Sequence, residues 1–281
     1  MGPCPSPSRW RPCAVSGLML LAALVGLRQQ LSAAPPVIVA AAIIPPVCFA
    51  AIVWRLGYRE SGSWMPSLAA FLWGGTVAPS IALALNDAAL RAHSQGLVTA
   101  VAGPLAEELA KGGALVLVMF AWPGSLRRMR EGIVYGALAG LGFAATENVG
   151  YYVIAAVQSG GIGLARAVYV RGFLEGLNHA TFTAVIGAAA GQARSRPARW
   201  LPRVGILLAG FFMAVAAHGA WNVLASPAIT TLLCNAAAEG AACGPGPRLV
   251  DLVVSIPVII TASVGPLAVL VVVLALRNRS S

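Results

Sequence analysis

The sequence predicts an all-α fold, a polytopic bundle of about eight transmembrane helices with both termini on the inner side. Three observations predict it. Of the residues, 58% are hydrophobic and only 10% charged, with mean hydropathy +0.80, far from the balance of a soluble domain. Apolar runs of ~20 residues, the length that crosses a hydrocarbon core, follow one another along the chain. Arginines collect between alternate runs, as loops held in the cytoplasm require. A net charge of +10 would suggest nucleic acid in a soluble chain. No basic amphipathic stretch with interleaved aromatics is present, so the expected surroundings are the lipid bilayer and not nucleic acid.

The runs fall at 13–33, 37–54, 64–85, 97–122, 132–157, 171–193, 204–225 and 249–276. With the N-terminus inside, the inner segments hold Arg9, Arg11, Arg55, Arg59, Arg127, Arg128, Arg130, Arg194, Arg196, Arg199, Arg203, Arg277 and Arg279. The outer ones hold Arg28, Arg91, Arg166, Arg171 and Arg248, and this thirteen-to-five split sets the expected orientation, that of a multi-pass protein of the cell membrane. Trp54, Trp64, Trp122 and Trp200 fall at inner boundaries, where indoles prefer to sit. The first run also fits a cleavable signal peptide, with Arg9 and Arg11 ahead of a short apolar core and small residues near Ser32. Cys234 and Cys243 share a loop expected outside, where a disulfide persists if one forms; spacing alone leaves bridge and free thiols both open.

Three regions are expected. Residues 1–96 supply scaffold spans nearly free of ionisable groups, with Pro45, Pro46 and Pro79 inside helices. Residues 97–225 hold the chemistry on four spans, and residues 226–281 form an outer loop and a final span. Gly136 with Gly140, and Gly187 with Gly191, are small-xxx-small pairs that let helix backbones approach closely.

Within those four spans sit Glu107, Glu108 and Lys111, then Glu147, His179 and His218. Even the lenient insertion scale charges roughly 2.5 to 3.5 kcal/mol for an ionisable side chain at mid-bilayer, so such groups are expected to face one another or a wet cavity. Lys111, the only lysine of the chain, lies four residues from Glu107 and three from Glu108, within reach of either. Pro104 precedes Glu108 by one turn and is expected to kink its helix. Phe143, Glu147 and Tyr151 form one stripe, Arg171, Glu175, His179 and Thr183 a second, and His218 with Asn222 a third. Groups on antiparallel spans meet only at equal depth. At ~1.5 Å per residue, Glu108 lies roughly 16 Å from the outer end of its span, Glu147 about 15 Å, His179 about 12 Å and His218 about 10 Å.

Each group alone has a structural explanation: a lone His as an interhelical hydrogen bonder, Glu with Lys as a buried ion pair, Glu175 as partner of Arg171 or as a carboxylate orienting His179. Their agreement in depth favours a site. The run Glu107-Glu108-Leu109-Ala110-Lys111 resembles an EExxK motif, and Phe143-Ala144-Ala145-Thr146-Glu147 an FxxxE motif. With the later histidines they resemble the PrsW family of intramembrane proteases, itself similar to the glutamate-dependent CAAX-processing and bacteriocin-immunity proteases. His218-xxx-Asn222 is similar to the wider group's HxxxN pattern. The resemblance implies hydrolysis of a peptide bond in a membrane-anchored protein, of which anti-sigma factors are the family's associated substrates. It implies Glu107, Glu108, Lys111, Glu147, His179, His218 and Asn222 as the functional set.

Two chemistries suit these groups. In one, which needs no cofactor, Glu108 or Glu107 is the general base for water, with His179 beside it, and His218 and Asn222 donate to the oxyanion. In the other, zinc is held by Glu108, His179 and His218. No HExxH helix is present, and the metal-free version is preferred on chemistry. An ion-coupled transporter would also place Glu, Lys and His in the membrane, but the chain lacks two matching halves. A catalytically silent scaffold would not need so complete a polar set.

Overall fold

A computed structural model describes residues 34–61, 64–195 and 200–225 of the chain. The runs 13–33 and 249–276 and the loop with Cys234 and Cys243 lie outside the described residues. Among the described residues every element is helical. The principal helices are α1 (Pro36–Ser61), α2 (Trp64–Ala92), α3 (Gly103–Ala121), α4 (Met129–Ala167), α5 (Asn178–Ser195) and α6 (Trp200–Ala220). Four stretches are long and apolar enough to cross a membrane: Pro36–Gly57, Trp64–Ala92, Met129–Ser195, which contains both α4 and α5, and Trp200–Leu224. Helix α3 turns Glu107, Glu108 and Lys111 into the bundle, where all three side chains are buried, and leaves Leu109, Val116 and Phe120 exposed on its other face.

Neighbouring helices run in alternating directions around α4. Gly57 of α1 faces Val134, while Ile38 and Ala42 pack with Val149 and Tyr152, an antiparallel pairing. Helix α5 returns antiparallel along another side, with Gly132 against Gly187, Gly136 against Thr183 and Gly140 against His179. Here the small-xxx-small expectation holds. A Cβ on Gly132 would stand 1.9 Å from the Gly187 carbonyl oxygen, so these backbones touch only because both positions lack side chains. Helix α6 packs antiparallel on α5, bringing Gly210 to Ala189 and His218 to Phe182. The outward faces are apolar: Phe120, Leu208 and Val157 are exposed at 59%, 50% and 81%, more apolar surface than water tolerates and what lipid requires.

The prolines act through the carbonyls they release. Pro79 cannot bond the Gly75 carbonyl one turn back, and the Thr146 hydroxyl donates to that oxygen at 2.5 Å, tying α2 to α4. Pro104 stands at the second position of α3, directly after a wide π-helical turn, Val98–Ala102, which accommodates the expected distortion before Glu108.

Two expectations change. The run 132–157 is the middle of a longer helix that continues to Ala167 past a kink at Ser159 and Gly160, where Gly160 takes φ +61°. The stripe from Arg171 to Thr183 is not one helix face. Arg171 lies on a second π-helical turn, Val168–Leu174, the chain breaks at Glu175, and α5 starts only at Asn178. Gly176 at this break packs closely on α1, where a Cβ would stand 2.7 Å from the Phe49 ring.

Candidate active site

Helix α3 gives the site its centre because adjacent glutamates diverge by ~100° on a helix and so take different surroundings. Glu108 points into the packed interior and is fully buried. Its Oε1 accepts from Lys111 Nζ at 2.6 Å and from His218 Nδ1 at 3.0 Å, and its Oε2 from the Thr183 hydroxyl at 3.0 Å. Glu107 is buried too, but its Oε2 has no hydrogen-bond partner; Lys111 Nζ stands 3.6 Å away and His218 Nε2 3.7 Å. One carboxylate is thus saturated by protein and its neighbour is not.

The glycine seam between α4 and α5 positions the other half. Because Gly140 lets the His179 backbone come within touching distance, the His179 ring reaches Glu147 on the next turns of α4: Nε2 lies 3.0 Å from Glu147 Oε2. Its Nδ1 lies 3.0 Å from Lys111 Nζ. An ammonium only donates, so Nδ1 accepts and Nε2–H donates to Glu147. Lys111 also sits 4.2 Å from the centre of the Phe143 ring, a cation–π contact that desolvation strengthens. By the same logic His218 donates Nδ1–H to Glu108, and its neutral tautomer keeps a lone pair on Nε2, facing Glu107. Phe182 stacks on His218 at 5.0 Å and fixes its plane, and the two imidazoles stand perpendicular with centres 5.2 Å apart.

Arg171 closes the far side. Its guanidinium bonds Glu147 through Nη2 and Asn148 Oδ1 at 3.0 Å, lies 3.7 Å from the Tyr151 ring centre, and stands 3.7 Å from Glu175. Of the two readings of Glu175, the structure shows the contact with Arg171. Asn222 lies on a third π-helical turn, Trp221–Ala225, one turn beyond His218, and its amide makes a long 3.4 Å contact with the Thr99 carbonyl. A cavity of about 50 Å³ is lined by Glu107, Glu147, Arg171, His179, His218 and Asn222 among others, room enough for water.

The structure brings Glu107, Glu108, Lys111, Glu147, His179 and His218 into one connected cluster, with Asn222 on its edge. The group in the structure that could hold a metal has Glu107 where the sequence reading named Glu108 beside His179 and His218. Ligand atoms of Glu107, His179 and His218 lie within 4.8 Å of one another, while Glu108 is already filled by three donors. These residues fit a metal in one respect above all: Glu107 Oε2 is buried without a hydrogen-bond partner and faces His218 Nε2 at 3.7 Å. His179 joins only by releasing Lys111 or Glu147. Sequence reasoning missed the contact of Arg171 with Glu147, and Thr183 as a donor to Glu108, although both lay on the noted polar stripe; the π-helical turns left no signal beyond Pro104.

Comparison with known families matches residues 62–261 to the PrsW family intramembrane metalloprotease. No curated protein and no solved structure matches the chain. The match spans well over half of the sequence and takes in every residue of the cluster, and so the chain belongs to the PrsW family of intramembrane metalloproteases.

Proposed function

We propose that this membrane peptidase hydrolyses its substrate at the cavity between Glu107 and His218, with Glu107 as general base and Glu108 as the group that holds the site together. The observation that carries this reading is Glu107 Oε2, buried without a hydrogen-bond partner and 3.7 Å from His218 Nε2, which the tautomer assigned above leaves as an acceptor. A water placed there donates to both, which leaves its oxygen lone pairs turned away from the carboxylate and toward a substrate carbonyl. Glu107 takes one proton as the water oxygen bonds to the carbonyl carbon. The carbonyl π pair moves to oxygen, where Asn222 donates a hydrogen bond to the oxyanion. Collapse breaks the C–N bond, and the proton held by Glu107 passes to the leaving amine. Lys111 and Arg171 keep His179 and Glu147 in place around this centre.

A divalent metal would be held by Glu107 and His218, with His179 as third ligand. It would supply Lewis-acid activation of water and carbonyl, and Glu108 would then orient His218 through Nδ1, as outer carboxylates commonly do for metal-bound histidines. Zinc suits one carboxylate and two imidazoles.

The wider placement follows the sequence. We assign the chain about eight spans in the cell membrane with both termini inside, on the arginine bias, and residues 97–225 as the catalytic core. A single-span regulator of the anti-sigma-factor type is the substrate to try first. The test is cleavage of single-span proteins by purified protein in detergent, with and without chelator. Cleavage that chelator abolishes and added zinc restores supports the metal form, and cleavage indifferent to chelator supports the metal-free form. A purified protein that moves protons or solute across vesicles and cuts no peptide bond overturns the hydrolytic reading.

A further inference from the structure

Beside the polar cavity, α2 and α4 enclose a groove of about 490 Å³. Pro79, Ala82, Leu83, Val149, Val153 and Ile154 line its walls, and Glu107 and Glu147, which also line the polar cavity, stand at its inner side. Leu83 and Ile154 are 58% and 52% exposed, so the groove opens on the flank of the bundle where lipid would lie. Gly150 leaves part of one wall bare: a Cβ there would meet nothing within 4 Å. Asn86, also in the wall, has its Oδ1 buried without a hydrogen-bond partner. In an apolar setting an unshared carbonyl oxygen is costly, and a peptide N–H is a donor that would satisfy it.

We infer that this groove receives the substrate as an extended, apolar segment of a membrane protein without acidic side chains, with Asn86 accepting a hydrogen bond from its backbone. The inference rests on the hydrolytic reading above and names its substrate class. Apolar side chains make most of the walls, and no cation lines the groove, so an acidic side chain would meet only Glu107 and Glu147 there. Chemistry argues for an unwound segment. The side chains and paired amides of a helix would hide its backbone from Glu107. An extended chain rises ~3.3 Å per residue and offers free N–H groups to Asn86 and free carbonyls to the site. The bond from Thr146 to the Gly75 carbonyl fixes the spacing of α2 and α4 beside it.

The experiment uses the full chain in detergent with a photo-cross-linking residue at position 83, and at position 116 on the exposed face of α3 as control. The probes are two synthetic peptides with apolar spans of ~20 residues, one uninterrupted and one broken by a central Gly-Pro. Cross-linking at position 83 but not 116, stronger for the broken peptide, is expected. Gly150→Leu, which fills the groove without touching the packed core, should abolish that cross-link and slow cleavage. Asn86→Leu should raise KM about threefold to tenfold, the worth of one hydrogen bond, with kcat nearly unchanged. Equal cross-linking at the two positions overturns the inference, as does an unchanged KM in both variants, or a cross-link from position 83 to the chain's own residues outside the described segments. Cross-linking without cleavage would support the groove and overturn the hydrolytic reading instead, so the two failures are distinguishable.

Discussion

Helix α4 meets α5 along one side and borders an open groove along another, and the contrast shows how one helix both builds a site and exposes it. Toward α5 it presents Gly132, Gly136 and Gly140, and backbone packs on backbone with no room for a single methyl. Toward the groove it presents Thr146, Val149, Gly150 and Val153, and at Gly150 there is open space. Close packing is what holds His179 against Glu147, since a dense interface has discrete arrangements and little slack. The open side is where a reacting chain has access to the same carboxylates. Glu107 and Glu108 repeat the contrast on α3: one faces a cavity with an unshared oxygen, the other is held by three donors in the interior.

The largest effect is expected on the packed side. Glu108→Gln removes the charge paired with Lys111 at 2.6 Å and leaves Glu107, at 3.6 Å, as its nearest carboxylate; removing one member of a buried pair costs about 3–5 kcal/mol. Thermal unfolding in detergent should show a large loss, and the double variant Glu108→Gln with Lys111→Met should recover part of it, since an apolar replacement removes the stranded charge. A double variant no more stable than the single one would mean that the ion pair is not what Glu108 contributes.

Gly140→Ala comes next. Its Cβ would stand 2.1 Å from the His179 carbonyl oxygen, so α4 and α5 must separate, at an overpacking cost of about 1–3 kcal/mol. Because the strain falls at His179, cleavage should drop more than stability does. Gly150→Ala sharpens the comparison from the other side of α4. With nothing within 4 Å, and a modest helix-propensity gain of about 0.5–1 kcal/mol, it should leave the unfolding temperature unchanged or slightly raised. If the two alanine variants unfold alike, the packed and open faces are not distinct. The smallest effect belongs to Glu175→Gln, whose carboxylate stands 3.7 Å from Arg171. A partial loss of kcat with normal stability is expected, and complete loss would place Glu175 in the chemistry itself.

Much of this was legible in the sequence because membranes impose strong rules. Ionisable groups in apolar runs must find partners, and Glu107, Glu108, Lys111, Glu147, His179 and His218 do so within one cluster. Small-residue spacing marked Gly136, Gly140, Gly187 and Gly191 as places of close backbone approach, and the structure sets them along the contact of α4 and α5. What periodicity missed was the backbone where the 3.6-residue repeat fails. π-helical turns at Val98–Ala102, Val168–Leu174 and Trp221–Ala225 carry or flank Thr99, Arg171 and Asn222, and a stripe counted every four residues runs straight across them. Nor does spacing tell which of two adjacent glutamates faces the cavity, since that depends on the rotation of α3 set by its neighbours.

That division between Glu107 and Glu108 is the central claim, and the direct measurement is a paired assay. Purified Glu107→Gln and Glu108→Gln proteins are compared with the unsubstituted chain for cleavage of one single-span substrate and for thermal unfolding in the same detergent. Glu107→Gln should unfold within about 1 kcal/mol of the unsubstituted protein, having lost no hydrogen bond from Oε2, yet lose at least about a hundredfold in kcat, as removal of a general base does. Glu108→Gln should lose stability and activity together. A Glu107→Gln protein that cleaves at full rate, beside a stable but inactive Glu108→Gln protein, would contradict the account.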